Sequence, residues 1–575
     1  MKRLLPLAAV VFLPALLPAQ AAHPARHASS SAPGTLPHKH APKPTSPNIT
    51  AADLMTRLYI FADDSMMGRE AGTLGNVKGT DYIAAEAKRI GLRPAGDGGT
   101  YFQTLPFKTR TVDSASTLAI GGSALRFGRD WVVSASESFA MEDAAVIHGG
   151  QIGDSASLIS PDSTLQRQVL LTVSPKASPR AIRGAARLYP EAALVMVVAP
   201  AQSMAFYRRP SQFVDDPAAA TRRTPPLVLL TADAASLLFR KSLDSLTKGA
   251  DADSSLEIDV RVKVRPVPFP TRNVVAILPG SDAKLKGEYV AIGAHNDHVG
   301  ANNRPVNTDS LRLFNHIVRP GGAEDAQKQG TTEQLAQFDT VYRAWQSAHA
   351  GAARLDSISN GADDDGSGSV SVLEIAERLA SLKGKARPKR SILFVWHVGE
   401  EKGLLGSAYY TDHPTVPRDS IVAQLNLDMV GRGAAADVVG VTKDGALIHG
   451  GPNYLQLVGS RRLSTELGDL VERVNTQDKH GFVFDYSMDA NGHPMNIYCR
   501  SDHYEYARYG IPITFFTTGG HSDYHQVTDE PEFIDYDHMA RVANLVEDVA
   551  LHAANLDHRI VVDQPKPDPR GACRQ

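Results

Sequence analysis

"SILFVWHVGEEKGLLGS", Ser391–Ser407, joins two patterns of different kinds. The first eight residues are almost continuously apolar, without the alternation of a half-exposed strand or the 3.6-residue stripe of a surface helix. Such a run reads as a strand buried on both faces, the kind found in parallel sheets covered by helices. The run ends in two adjacent carboxylates, Glu400 and Glu401, followed by a glycine-rich turn. Like charges side by side at the end of a buried strand repel one another and are costly to desolvate, so the site needs an offsetting positive charge.

The same grammar recurs. "EYVAIGAHNDHVG" ends its apolar run in His295 and Asp297, and "IVAQLNLDMVGR" ends in Asp428. "IPITFFTTGGHSDYHQVTDEP" leads into His521, Asp523 and His525, and "NGADDDGSGSV" packs Asp363, Asp364 and Asp365 between glycines just before a helix. In open α/β sheets, sites form beyond the carboxyl ends of the strands, where these five clusters would converge. The fold class expected is α/β: a mixed, mostly parallel sheet sandwiched by helices, with an inserted, mostly β accessory domain.

Histidine with carboxylate and no cysteine suits Zn²⁺, and several carboxylates suit two ions that share a bridge. Two cations account for the Glu400–Glu401 pair: one glutamate binds metal while its neighbour stays free as a proton acceptor. Singly, each cluster has an ordinary structural explanation, such as a solvated turn, an acidic loop or a helix cap. Their joint occurrence at successive strand ends does not.

The remainder of the 575 residues is too much for one core. With 60 basic and 63 acidic residues the net charge is -3, and no basic stripe interleaved with aromatics is present, which excludes nucleic acid as the expected partner. "MKRLLPLAAVVFLPALLPAQA" (1–21) has a basic start, an apolar stretch and a small-x-small ending, Ala19-Gln20-Ala21. It predicts a signal peptide cleaved after Ala21, hence a periplasmic or extracellular protein with no membrane anchor after cleavage. Residues 22–48, rich in Pro, Ala, Ser and His, read as a disordered linker. Thr50 is the expected cap of a helix beginning "AADLM", "GTDYIAAEAKRIGL" is a second helix, and "TYFQTLPFKTR" is a strand. Residues 131–264 hold short β-like runs without ligand clusters and read as the insertion, between 49–130 and 265–556 of the catalytic domain; 557–575 is a tail. The two cysteines, Cys499 and Cys573, make no disulfide scaffold, and whether they pair is left open.

In order, "GAHNDHVG", "NGADDDGSG", "GEEKGLLGS", "NLDMVGR", "RSDHYEYARYGIPITFF" and "DYH" resemble the co-catalytic di-zinc aminopeptidase family, metallopeptidase family twenty-eight. So does the lead-in "DDSMMGREAGT…YIAAEAKRIGLRPAGDGGTYFQ". The resemblance covers about 50–130 and 270–550 and implies the zinc exopeptidase fold, with two zinc ions per chain and peptide substrates. It makes His295 and Asp428 ligands of one ion, Glu401 and His525 ligands of the other, and Asp364 the bridge; the residues alone do not choose among the three aspartates. It makes Glu400 the general base that activates a metal-bridging water. It also implies that Asp297 orients the His295 imidazole and that Tyr524 binds the developing oxyanion. Ser501, Asp502 and His503 look like supporting structure, and 131–264 loosely resembles a protease-associated domain.

One departure stands out. Sixty-eight residues separate His295 from Asp364, far more than in simpler members, and include the helix candidate "TTEQLAQFDTVYRAWQSAHAG". An N-terminal exopeptidase is the leading expectation. A carboxypeptidase or dipeptidase of the same fold stays open because Arg432 and Arg500 lie near the motifs, and a catalytically silent binding protein is the alternative from another class. Glutaminyl cyclases share the fold but lack the first histidine ligand, against which His295 speaks.

Overall fold

The computed structural model describes residues 36–575 except 162–166, 174–181, 183, 200–203, 206, 217–223, 240, 326–328 and 350–352. The expected signal peptide and the first half of the expected linker lie outside the described residues. Residues 36–48 hold no helix or strand, yet they are laid along the body: Leu36 packs against the main core and Thr45 donates a hydrogen bond to Glu377 at 2.8 Å.

Two helices follow, α1 (Ala51–Phe61) and α2 (Leu74–Ile90). Thr50 caps α1 by accepting the Asp53 N–H at 3.1 Å, and α2 stops where Gly91 turns to a φ of 87°, a conformation that glycine adopts without penalty. Nine strands then build the central sheet. They are β1 (Arg93–Pro94), β2 (Phe102–Leu105), β3 (Thr271–Leu278), β4 (Tyr289–His295), β5 (Ser391–His397), β6 (Ile421–Leu427), β7 (Tyr454–Val458), β8 (Val483–Asp485) and β9 (Ile513–Thr517). Their spatial order is β1-β3-β5-β4-β6-β9-β7-β8, with β2 paired to β3. The four apolar runs singled out by the sequence, β5, β4, β6 and β9, lie side by side and parallel, so their carboxyl ends point the same way. Antiparallel β3 and β7 flank them, which makes the sheet parallel at its centre and mixed toward its edges.

Later helices include α3 (Thr308–Val318), α4 (Thr332–Ala348), α5 (Gly368–Ser381) and α6 (Tyr536–Asn555). Successive side chains of a strand face opposite ways, and β3 uses both faces. Val274 and Ala276 enter one core with Leu58 of α1, Ile83 of α2, Leu373 of α5 and Val542 of α6. Val275 and Ile277 enter a second core with Tyr410 and Tyr506. A sheet buried on both faces is why these strands read as unbroken apolar runs.

"TYFQTLPFKTR" does not form one strand. Pro106 has no N–H to offer a ladder, and the chain changes sheet there: β2 stays in the central sheet while Phe107–Val112 pairs with Ser211–Val214 and Val262–Pro266. Thr117–Ile120 likewise pairs with Leu256–Val260. Strand pairing thus ties 107–125 to the segment expected at 131–264, and the expected boundary at 130 cuts through these sheets. A five-stranded sheet in the same region, from Trp131–Ser134 to Val146–Ile152, has its own apolar layers. Cys499 and Cys573 form a disulfide with Cα atoms 5.8 Å apart, which fastens the tail to the second core. Among the described residues no helix is long and apolar enough to cross a membrane.

Candidate metal centre

The strand ends meet as their register requires. β4 stops at His295, β5 stops at His397 and leads through Gly399 to Glu400 and Glu401, β6 is followed by Asp428, and the loop after β9 carries Tyr524 and His525. Asp364 comes from the turn before α5. His295 Nε2 lies 3.1 Å from Asp364 Oδ1 and 3.7 Å from Asp428 Oδ1. On the other side of Asp364, His525 Nε2 lies 2.9 Å from Asp364 Oδ2 and 3.0 Å from Glu401 Oε2. Two groups of donors therefore share one carboxylate, Asp364, whose two oxygens face different partners.

The residues fit metal ions. His295 Nε2, His298 Nδ1, Asp364 Oδ2 and Glu401 Oε1 are buried and none makes a hydrogen bond, a costly state for polar atoms that ligation would relieve. Their chemistry, nitrogen and carboxylate oxygen without sulfur, suits zinc. His525 holds a φ of 57°, in the left-handed region, as does Met429 beside Asp428, so both segments carry local backbone strain at the site.

The two adjacent glutamates differ. Burial alone would raise Glu401, but His525 and His298 outweigh it and hold the group at about 2. Glu400 is pushed well above the ordinary range by burial, only partly opposed by His295, and raised further by Glu401 and Asp428. Its side chain makes no hydrogen bond or ion pair with any described residue. A pair with its proton affinities driven apart in this way can divide the roles of ligand and base.

The supporting residues are also visible. Asp365 accepts the backbone N–H groups of His295 (3.0 Å), Gly368 (2.9 Å) and Met429 (3.3 Å), tying three site segments together. Asp363 accepts from Gly431 at 2.7 Å and pairs with His521 at 3.2 Å, while Asp523 pairs with Arg432 at 3.0 Å. Of the three aspartates it is Asp364 that faces the donors; of the loop after β9 it is His525. Ser501 donates to Asp428 Oδ2 at 2.7 Å, Asp502 sits 3.5 Å from His397, and His503 donates to the Tyr498 carbonyl at 2.8 Å. The hydrogen bond expected from Asp297 to the His295 imidazole is made instead by the Asp297 backbone carbonyl, at 3.0 Å from Nδ1, with the carboxylate 3.8 Å away. That carboxylate is turned toward the neighbouring strand end, where it accepts the N–H groups of Gly399 (2.7 Å) and Glu400 (3.2 Å).

Two features escape the sequence reading. His298, fully buried, puts Nδ1 2.9 Å from Glu401 Oε1 and 3.7 Å from Asp364 Oδ2. Its signal was a second histidine three places after His295 in the same strand-end segment. Arg69, also fully buried, donates to the carbonyls of Phe61, Asn360 and Gly361 and so braces the turn that carries Asp364.

A cavity of about 270 Å³ opens from the cluster. Its lining combines polar groups, Asp364, Glu400, Asp428 and Tyr524, with apolar ones, Met429, Val439, Met488, Met495 and Phe515. Gly321, Glu324 and Asp325, from the segment between His295 and Asp364, also line it. Arg500 is the one cation among the lining residues; it pairs with Glu324 at 2.6 Å and donates weakly to the Tyr524 hydroxyl at 3.5 Å.

The profile of Peptidase family M28 matches residues 273–550, the stretch that supplies every donor above. Residues 273–550 are thus similar to peptidase family M28. Among curated relatives, leupeptin-inactivating enzyme 1 of Streptomyces exfoliatus is 42% identical over 82 residues, which are 14% of this chain and 18% of that protein. Leucine aminopeptidase 1 of Coccidioides posadasii (strain C735) is 31% identical over 193 residues, 32% of this chain and 44% of that protein. The chain thus spans less than half the length of these relatives. Among solved structures, an aminopeptidase from Aneurinibacillus sp. strain AM-1 superposes with a TM-score of 0.48 at 16% identity, covering 90% of this chain and 97% of that one. A zinc aminopeptidase from Bacillus subtilis gives 0.45 at 15% identity, covering 90% and 99%.

Proposed function

We propose that the chain is an exported metallo-aminopeptidase that removes N-terminal residues from peptides with the help of two zinc ions. The observation that carries this reading is Asp364, whose two oxygens face His295 on one side and His525 on the other. His295, Asp364 and Asp428 would hold one ion; Asp364, Glu401 and His525 would hold the other. When bound, the ions supply polarisation of the scissile carbonyl and a lowered pKa for the attacking water.

The chain's own groups do the rest. Glu400, unpaired and high in proton affinity, takes the proton of the attacking water and passes it to the departing amine. Tyr524, stacked on His525 with ring centres 4.0 Å apart, donates its hydroxyl to the carbonyl oxygen as negative charge develops there. Asp297 holds the turn that carries Glu400, and Ser501 holds Asp428.

Charge in the cavity lining favours the amino end of a peptide. Five carboxylates, Glu324, Asp325, Asp364, Glu400 and Asp428, line the cavity against the single arginine Arg500, a balance that suits an α-ammonium. A terminal carboxylate would need an available cation, but Arg500 is engaged by Glu324 and Arg432 is buried against Asp523. The apolar wall suits a large apolar side chain. Export is supported by the leader-like N-terminus and by the Cys499–Cys573 disulfide, which suits an oxidising compartment.

The test is hydrolysis of leucyl-nitroanilide and its N-acetyl analogue, with and without a chelator. Cleavage of the free amine only, lost with chelator and restored by zinc, is expected. Activity indifferent to chelation, or equal cleavage of the acetylated substrate, would sink the reading.

A further inference from the structure

The two groups of donors around Asp364 are unequal. His295, Asp364 and Asp428 number three, whereas the other side holds four: His298, Asp364, Glu401 and His525. Four of the separations among these last donors are 2.9 Å (His298 to Glu401), 3.7 Å (His298 to Asp364), 2.9 Å (His525 to Asp364) and 3.0 Å (His525 to Glu401). Donors bound at zinc distances in a tetrahedron lie about 3.3 Å from one another, so these contacts, two of them to different oxygens of Glu401, bring the four residues to nearly the spacing of a cage around one small cation.

His298 has no other evident employment. It is fully buried, and neither ring nitrogen makes a hydrogen bond, although Nδ1 is close enough to Glu401 for one. Its ring is held in place by backbone. A Cβ on Gly361 would come within 2.5 Å of His298 Cγ and 2.6 Å of Cδ2, and Gly361 itself has a φ of 56°. The turn that leads to Asp364 therefore gives up a side chain to let the imidazole in. That same turn is braced by buried Arg69 through the carbonyls of Asn360 and Gly361. A buried imidazole with unsatisfied nitrogens is expensive unless something binds it.

We propose that His298 is a further metal ligand, whose Nδ1 completes a four-donor cage with Asp364, Glu401 and His525. The ion in that cage is the more tightly held of the two. The three-donor position of His295, Asp364 and Asp428 keeps room for water or substrate, as catalytic zinc positions do, and gives up its ion first. The inference rests on the di-metal reading above and adds to it an order of loading.

The experiment is a zinc titration of the metal-free full chain against a chromophoric competitor chelator, for the wild type, H298A, H298L and H295A. The wild type is expected to take two ions with separable affinities. H298A and H298L are expected to weaken the tighter ion by about 10- to 100-fold and leave the weaker one alone. H295A is expected to do the reverse. Cobalt substituted for the first ion should show an altered visible spectrum in the His298 variants, since a nitrogen donor is lost. Unchanged affinities and an unchanged cobalt spectrum in both His298 variants would overturn the proposal while leaving the di-metal reading intact. A wild type that binds fewer than two ions would overturn that reading itself. Should both variants fail to fold, zinc-loaded wild-type crystals decide: an Nδ1-to-zinc distance near 2.1 Å is expected, and one beyond about 3 Å overturns the assignment.

Discussion

The carboxylate of Asp297 lies 3.2 Å from the backbone nitrogen of Glu400 and accepts its N–H, so a residue at the end of β4 sets the position of the residue that follows β5. Asp297→Ala should therefore act on the base before it acts on the metals. A fall in kcat of about 10- to 100-fold is expected, with KM and zinc content close to wild type. Zinc loss with an intact kcat per bound ion pair would mean that Asp297 works through His295 instead.

Glu400→Gln removes the proton acceptor and keeps the shape. Turnover should drop about 100- to 10,000-fold while metal analysis still finds two ions. Because burial pushes Glu400 upward, with His295 only partly opposing, the working base forms as pH rises. The acid limb of kcat/KM should accordingly lie above the ordinary glutamate value of about 4.3. Activity that stays level from pH 4 to 8 would contradict this role.

The apolar wall formed by Met429, Met488 and Met495 should set side-chain preference. Leucyl, methionyl and phenylalanyl nitroanilides should exceed the alanyl compound in kcat/KM by about 10-fold or more, given the worth of each methylene in a fitted pocket. Aspartyl and glutamyl compounds should be poorest, since Glu324 and Asp325 face them. A profile that favours acidic residues would refute the reading of the cavity.

His503, packed behind the cavity wall, offers a test of stability. It is fully buried, stacked on Phe515 at 4.7 Å, and burial lowers it to about 3. The folded chain keeps it neutral while the unfolded chain protonates it below about 6.5, so stability should fall as pH drops from about 6.5 toward 3. His503→Gln can still donate toward the Tyr498 carbonyl but cannot titrate. Its unfolding free energy should lose a pH slope of about 1.4 kcal/mol per unit over that window, measured by denaturant unfolding against wild type. Identical slopes would place the His503 proton elsewhere.

The central sheet could be read in advance because strands buried on both faces leave little choice of residue, as in "SILFVWHV" and "IVAQLNL". The helix start at Thr50 was equally legible, since a threonine cap satisfies a free N–H by local chemistry. What could not be read depends on distant backbone. The imidazole of His298 reaches Glu401 only because Gly361 makes way for it. Asp297 turns to the β5 end because Gly399 and Glu400 present N–H groups there, while its own carbonyl already serves His295. The change of sheet at Pro106 needed a partner strand more than a hundred residues away, at Ser211–Val214.

The stretch 299–358 lends Gly321, Glu324 and Asp325 to the lining of the cavity, yet none of its described residues is a donor to the cation cluster. Choice of cargo and cutting machinery are thereby housed in separable pieces of chain. Grafting or trimming that stretch should retune which peptides are admitted while the cutting centre keeps its ions, a modularity that an engineer could exploit.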